Sequence, residues 1–191
     1  MIRHRWNWIP LAGALLVFAL ATPALAGDFS LEGQFGYYDP DSVNKNGQVY
    51  GLAVGYDVSP NFGMLLSGGV IDLEDDYLDI NSADLQFGLG LLDLSFVWYP
   101  TGKSFYVFGG PGYATVDLEI DIPGNNNDIK ESDTTFTVNG GLGFRWLVSD
   151  HFFVRPELKA RWFDGQDFKA TQANSYEGLD VQYTLGLGWR F

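Results

Sequence analysis

From residue 29 to Phe191, apolar residues recur at every second position, the period of an extended strand with one apolar face. The last stretch shows it most plainly. Leu179, Val181, Tyr183, Leu185, Leu187, Trp189 and Phe191 share one face, and Asp180, Gln182, Thr184, Gly186, Gly188 and Arg190 share the other. The same alternation recurs over 29–38, 47–56, 62–73, 83–99, 105–117, 134–146 and 152–163, and helical periodicity is not evident anywhere. An all-β chain of eight strands is expected, and 191 residues suit a single domain.

The links between these stretches alternate in length. Val58-Ser59-Pro60-Asn61, Pro100-Thr101-Gly102-Lys103-Ser104 and Val148-Ser149-Asp150 are tight turns, whereas the links that begin at Asp39, Glu74, Leu118 and Asp164 are long and polar. Short turns at one end, long loops at the other and both termini on the short side describe an antiparallel, up-and-down transmembrane β-barrel of the outer-membrane kind. Energetics decide which face meets lipid. Arg155, Glu157, Lys159 and Arg161 share one parity, and an Arg or Lys facing lipid at mid-membrane costs about 2–4 kcal/mol. The row therefore faces inward, and Val154, Leu158, Ala160 and Trp162 face out. In 134–146, Phe136, Val138, Leu142, Phe144 and Trp146 face out while Thr137, Asn139 and Arg145 face in. A soluble lipocalin-like barrel would also alternate, but the inward charged row argues against it.

The aromatic residues sort by strand end, as membrane-interface belts do. Tyr56, Phe62, Trp98, Phe105, Trp146, Phe152, Trp189 and Phe191 fall at the short-turn end, and Tyr37, Tyr50, Tyr113, Phe136, Trp162 and Tyr183 nearer the long loops. Two features fit less well. Pro111 and Pro156 fall inside strands and each removes a ladder donor, so a bulge is expected at each. The fourth stretch switches its outward set from Leu85, Phe87, Leu89 and Leu91 to Leu92, Leu94, Phe96 and Trp98, which predicts another bulge near Leu91-Leu92.

An eight-stranded barrel is narrow enough for side chains to fill. The expected interior charges are Glu32, Asp84, Asp93, Arg145, Arg155, Glu157, Lys159, Arg161, Asp180 and Arg190, with glycines such as Gly141, Gly143, Gly186 and Gly188 making room for the long cations. They read as a structural network of ion pairs, or alternatively as the lining of a gated or narrow pore.

Composition removes other classes. The chain has no cysteine, which excludes disulfides, thiolate catalysis and cysteine-held metals. Its net charge of −13 argues against nucleic acid as a partner. Apolar residues make up 46%, too many for a disordered chain, yet the mean hydropathy of −0.03 is low for a helical membrane protein.

The first 26 residues read as an address. Arg3 and Arg5 precede an unbroken apolar run over 11–21, and Ala24-Leu25-Ala26 gives a small-x-small end before Gly27. The run is short for a transmembrane helix. A secretory signal peptide cleaved between Ala26 and Gly27 is expected, leaving one domain over 27–191.

Together, the signal-like start, the eight alternating segments and the ending Tyr183-x-Leu185-x-Leu187-x-Trp189-x-Phe191 resemble the small outer-membrane β-barrel family of OmpA-type and OmpX-type barrels. The resemblance covers essentially the whole mature chain. It implies a monomer in the outer membrane of a Gram-negative bacterium, embedded in lipid and lipopolysaccharide. It also implies that Tyr183, Leu185, Leu187, Trp189 and Phe191 are read by the barrel-assembly machinery. Unlike in full-length OmpA-type proteins, no peptidoglycan-binding domain is expected after Phe191.

No catalytic residue is assigned. His4 leaves with the signal, and His151 has no nearby serine in the His-x-Ser pattern of deacylase-type barrels. A Gly-x-Ser-x-Gly elbow is absent, and Asp75-Asp76 has no pocket to shift its pKa. The long loops are acidic, with Asp72, Glu74, Asp75, Asp76 and Asp79 in one and Asp117, Glu119, Asp121, Asp128, Glu131 and Asp133 in another. They suit a solvated surface, divalent-cation bridging at lipopolysaccharide or a basic partner, but no metal site or cofactor is specific enough to name. The expected function is non-enzymatic, in membrane integrity and surface interaction. The alternative is a narrow porin-like channel for small solutes or ions.

Overall fold

The computed structural model describes residues 28–40, 46–73, 84–102, 104–121, 129–163 and 178–191. They form eight long strands: β1 (Asp28–Asp39), β2 (Gly47–Asp57), β3 (Phe62–Leu73), β4 (Asp84–Trp98), β5 (Phe105–Asp121), β6 (Ile129–Phe144), β7 (Phe152–Phe163) and β8 (Leu179–Arg190). A two-residue piece, Trp146–Leu147, continues β6 beyond Arg145. Each strand pairs antiparallel with its sequence neighbours, and β1 pairs with β8, so the sheet closes on itself. Closure removes every edge, so no strand presents a whole unpaired ladder to the bilayer.

The stagger can be read from the partners. Gly143 faces Glu157, then Thr184, Gly36, Val49, Ile71, Leu89, Val116 and finally Asp133, back on β6 ten residues from the start. With strands ~4.8 Å apart and a rise of ~3.3 Å per residue, a stagger of ten over eight strands sets a tilt of about 40° and a backbone radius of about 8 Å. Side chains can fill such a tube.

The tight turns share a device. Ser59 and Ser149 each stand three residues ahead of a phenylalanine that starts a strand, and each hydroxyl accepts the backbone N–H of that residue, Phe62 at 3.1 Å and Phe152 at 3.0 Å. Gly102, at φ +95°, supplies the left-handed step of the third turn. The opposite ends carry the longer links. There the β5–β6 hairpin runs on as far as Ile120 opposite Ile129, whereas the sequence pattern reads 118–133 as loop.

None of the three expected bulges forms. The β3–β4 and β4–β5 registers run through Leu91-Leu92 without an extra residue. Leu89 and Leu91 instead lie on the same face as Asp93, Ser95 and Val97, buried in the barrel at 5% and 4% exposure. Around Pro111 and Pro156 the register is the same on both sides. The prolines only interrupt a ladder, between β4 and β5 at Leu94-Ser95 and between β6 and β7 at Phe144-Arg145. A missing N–H removes hydrogen bonds without requiring an inserted residue.

Outside, the aromatic belts stand as the alternation predicts. Phe62, Trp98, Trp146, Trp189 and Phe191 are exposed at the short-turn end, and Tyr37, Tyr50, Tyr113, Phe136, Trp162 and Tyr183 at the other.

Candidate functional site

The interior is where this fold concentrates its chemistry, and three layers fill it. Nearest the short turns, Arg145 points across the lumen from the break in β6, where its backbone N–H is held by the Ser104 carbonyl. Its Nη1 donates to Asp57 Oδ2 on β2 at 2.8 Å, and Nη2 donates to the Tyr99 hydroxyl, which itself donates to Asp57 Oδ1 at 2.9 Å. The guanidinium also sits 5.1 Å from the Tyr99 ring and 5.4 Å from the Phe153 ring. One side chain thus ties together strands from opposite sides of the tube.

The middle layer is built by β7. Arg155 Nη2 donates to Glu32 Oε1 on β1 at 2.7 Å, and Gln34 Nε2 donates to the same oxygen at 2.6 Å. Arg161 grips Asp93 on β4 with two parallel bonds of 2.7 Å, and Lys159 Nζ adds a third at 3.1 Å. Glu157 takes the Tyr106 hydroxyl at 2.9 Å and lies 3.7 Å from Lys159 Nζ. Rings on β5 back two of the cations: Tyr106 lies 5.8 Å from the Arg155 guanidinium and Phe108 lies 5.7 Å from Lys159 Nζ. Arg155, Lys159 and Arg161 are each no more than 2% exposed. A charge that deep is tolerated only when paired and hydrogen-bonded.

The third layer, toward the long links, is apolar. Val49, Ile71, Leu89, Leu91, Ala114, Tyr38 and Phe163 pack together from six strands. The sequence pattern leads one to expect a polar lumen throughout. The structure corrects this, because a tube that is closed by packing needs apolar filler as well as ion pairs. Tyr38 joins the layer to the polar interior by donating its hydroxyl to Asp180.

Of the ten expected interior charges, Glu32, Asp93, Arg145, Arg155, Glu157, Lys159, Arg161 and Asp180 are buried in the barrel. Asp84 lies in β4, but its side chain is outside the described residues. Arg190 is a correction. It has the inward parity but is the last residue of β8, so its side chain reaches the rim, 3.3 Å from the Asp150 carbonyl and 3.8 Å from Asp28 Oδ2. Asp57, Tyr99, Tyr106 and Gln34 are the partners that the sequence reading does not name. Asp57 was within reach of it, since it continues the inward parity of Ala53 and Gly55.

His151 lies outside the lumen. Its ring stacks on Trp189 at 5.3 Å, with Nδ1 3.0 Å from the Arg190 carbonyl. The expected signal cleavage at Ala26-Gly27 lies outside the described residues, as do Glu74, Asp75, Asp76, Asp79 and Asp128; the other acidic positions expected in loops fall in strands, Asp72 in β3, Asp117, Glu119 and Asp121 in β5, and Glu131 and Asp133 in β6. Among the described residues no group of three His, Asp or Glu is placed to hold a metal ion.

A model of the outer membrane protein beta-barrel domain family matches residues 12–191. The chain belongs to this family. It is a protein of the bacterial outer membrane, and its apolar outer wall is the face that meets lipid.

Solved members of this architecture are distant in sequence. A major outer membrane protein of Thermus thermophilus superposes with a TM-score of 0.67 at 15% identity, over 87% of this chain and 100% of that one. Ail, the attachment invasion locus protein of Yersinia pestis, solved with the heparin analogue sucrose octasulfate, gives 0.60 at 16% identity, over 86% of this chain and 99% of its own. Neisserial surface protein A gives 0.56 at 10% identity, over 86% and 97%. At such identities the likeness is one of fold. No curated protein matches the chain.

Proposed function

We propose that this barrel is non-enzymatic and closed at rest. It acts as a rigid anchor in the outer membrane for long extracellular loops and contributes to membrane integrity and surface interaction. The observation that carries the reading is the filled lumen, with a buried ion-pair layer between an apolar layer and the Arg145 cluster. Lumenal carboxylates engaged by arginine, lysine or tyrosine are braces and make poor acids or bases.

The loops give the anchor its contact with the outside, and their carboxylates select for cationic counterparts. Ail was crystallised with a polyanion; the acidic loop sequences of this chain repel such a ligand and favour divalent cations at the lipopolysaccharide surface or a basic partner. The protein is monomeric, with its termini in the periplasm. The signal peptide is cleaved at Ala26-Gly27, one residue ahead of the first strand. Tyr183, Leu185, Leu187, Trp189 and Phe191 present the assembly signal.

The alternative, a narrow channel, is tested directly. Residues 27–191, refolded and inserted in a planar bilayer with insertion confirmed by heat-modifiable migration, are expected to be electrically silent. Single-channel steps whose ion selectivity changes in Arg155→Glu would overturn the closed reading and make the lumenal charges a selectivity filter.

A further inference from the structure

The outer wall is not evenly covered. On the seam where β1 meets β8 lies an open groove of about 520 Å³, within the range of roughly 300–1,000 Å³ that accommodates one small ligand. Phe35 faces Tyr50 on one side and Leu185 on the other, and Leu185 faces Pro156, so the groove crosses four strands at one height. Gly36 and Thr184 also line it. The rings of Tyr37, Tyr50 and Tyr183 stand up around it, each more than half exposed.

We infer that this groove is a binding site for one acyl chain of lipopolysaccharide, held more tightly than the lipid that bathes the rest of the wall. The groove lies on the face that an outer-membrane protein turns to lipid, so it is continuous with an interface that hydrocarbon already covers. Its position selects the leaflet. Tyr37 and Gln48 face each other one step from the end of the β1–β2 ladder on the long-link side, which is the outer side of the membrane in the proposed orientation. A chain lying against Phe35, Leu185 and Pro156 would place its ester and head-group oxygens among the three phenols and the Gln48 carboxamide, which already accepts the Tyr50 hydroxyl. The lining is almost wholly apolar, as the hydrocarbon of the chain requires, and the Tyr50–Gln48 hydrogen bond is the polar contact on its long-link side, available to the ester head.

The test is native mass spectrometry of the mature barrel released from detergent micelles that contain equal amounts of rough lipopolysaccharide and phosphatidylglycerol. One lipopolysaccharide per barrel is expected to survive release. Retention should fall about tenfold in the Tyr37→Ala, Tyr183→Ala double variant, which removes two ring contacts. Leu185→Trp, which fills the groove and keeps the rings, should abolish it. Heat-modifiable migration shows that each variant is folded. Equal retention of both lipids, retention unchanged in both variants, or a dimer peak lost on Leu185→Trp would overturn the proposal; the last would give the groove to a second copy of the chain. None of these outcomes depends on whether the lumen conducts.

Discussion

Tyr106 on β5 donates a 2.9 Å hydrogen bond across the lumen to Glu157 on β7. The relationship is repeated. All three inward tyrosines among the described residues donate to a carboxylate on another strand, Tyr38 to Asp180 and Tyr99 to Asp57 being the others. A phenol suits this work because its ring packs with the apolar filler while its hydroxyl satisfies an acid without adding charge.

Tyr106→Phe keeps the ring against Phe108 and Arg155 but takes the donor from a buried carboxylate. The expected cost is about 1–3 kcal/mol in urea unfolding from lipid vesicles, with the fold retained.

Asp93 and Arg161 should behave unequally. Asp93→Leu strands Arg161 in the interior and leaves Lys159 with only the 3.7 Å contact to Glu157, and a loss of about 3–5 kcal/mol is expected. Arg161→Met leaves Asp93 with Lys159, so its cost should be clearly smaller. The same unfolding series ranks the two, and equal losses would mean that the lysine contributes nothing.

Two glycines on β1 give a paired test of wall geometry. A Cβ at Gly36 would run into the Tyr183 carbonyl of β8, which is backbone and cannot swing away, whereas a Cβ at Gly33 meets nothing within 4 Å. Gly36→Ala is expected to cost about 1–3 kcal/mol and to loosen the β1–β8 seam, seen as faster amide exchange at Tyr183 and Thr184. Gly33→Ala should stay within about 0.5 kcal/mol of the parent.

Phe191 separates assembly from stability. Its backbone N–H bonds to the Phe29 carbonyl at 2.9 Å and its ring packs on Phe29, contacts that end the barrel without filling it. Phe191→Ser is expected to refold in detergent with little change, yet to lower the amount of heat-modifiable barrel in the outer membrane severalfold. Equal amounts in cells would remove the proposed assembly signal.

The faces of β8 and of β7 from Val154 to Trp162 are legible because polar and apolar residues alternate there without a break, so that one energetic rule, no cation in lipid, orients the whole barrel; only the phenylalanines at the ends of β7, Phe153 and Phe163, depart from it by filling the lumen. β4 resists that reading. Leu89 and Leu91 are lumen filler, Leu92 and Leu94 are wall, and a leucine carries no mark that tells one apolar environment from another. The apparent switch in parity at Leu91-Leu92 is therefore a change in what the inward face touches, with the strand itself regular. Tyr106 is missed for another reason: Phe105 belongs to the outer belt, which turns Tyr106 inward, but nothing in the sequence shows that an inward tyrosine has an acid to meet across the lumen. The prolines mislead differently. Sequence shows that Pro156 lacks a donor, but it does not show that the gap stays local: pairing with β6 stops at Gly143 opposite Glu157 and resumes in the same register at Trp146 opposite Val154.

The three cations of β7 have a consequence in time. Their acids belong to strands made much earlier, Glu32 to β1 and Asp93 to β4, while β7 is next to last. A wall that lacked β7 would carry those carboxylates into the membrane uncompensated, at a cost of several kcal/mol each. Half-built barrels are thus poor resting places, and insertion and closure are coupled as one cooperative event: the early strands become comfortable in the bilayer only when the late ones arrive.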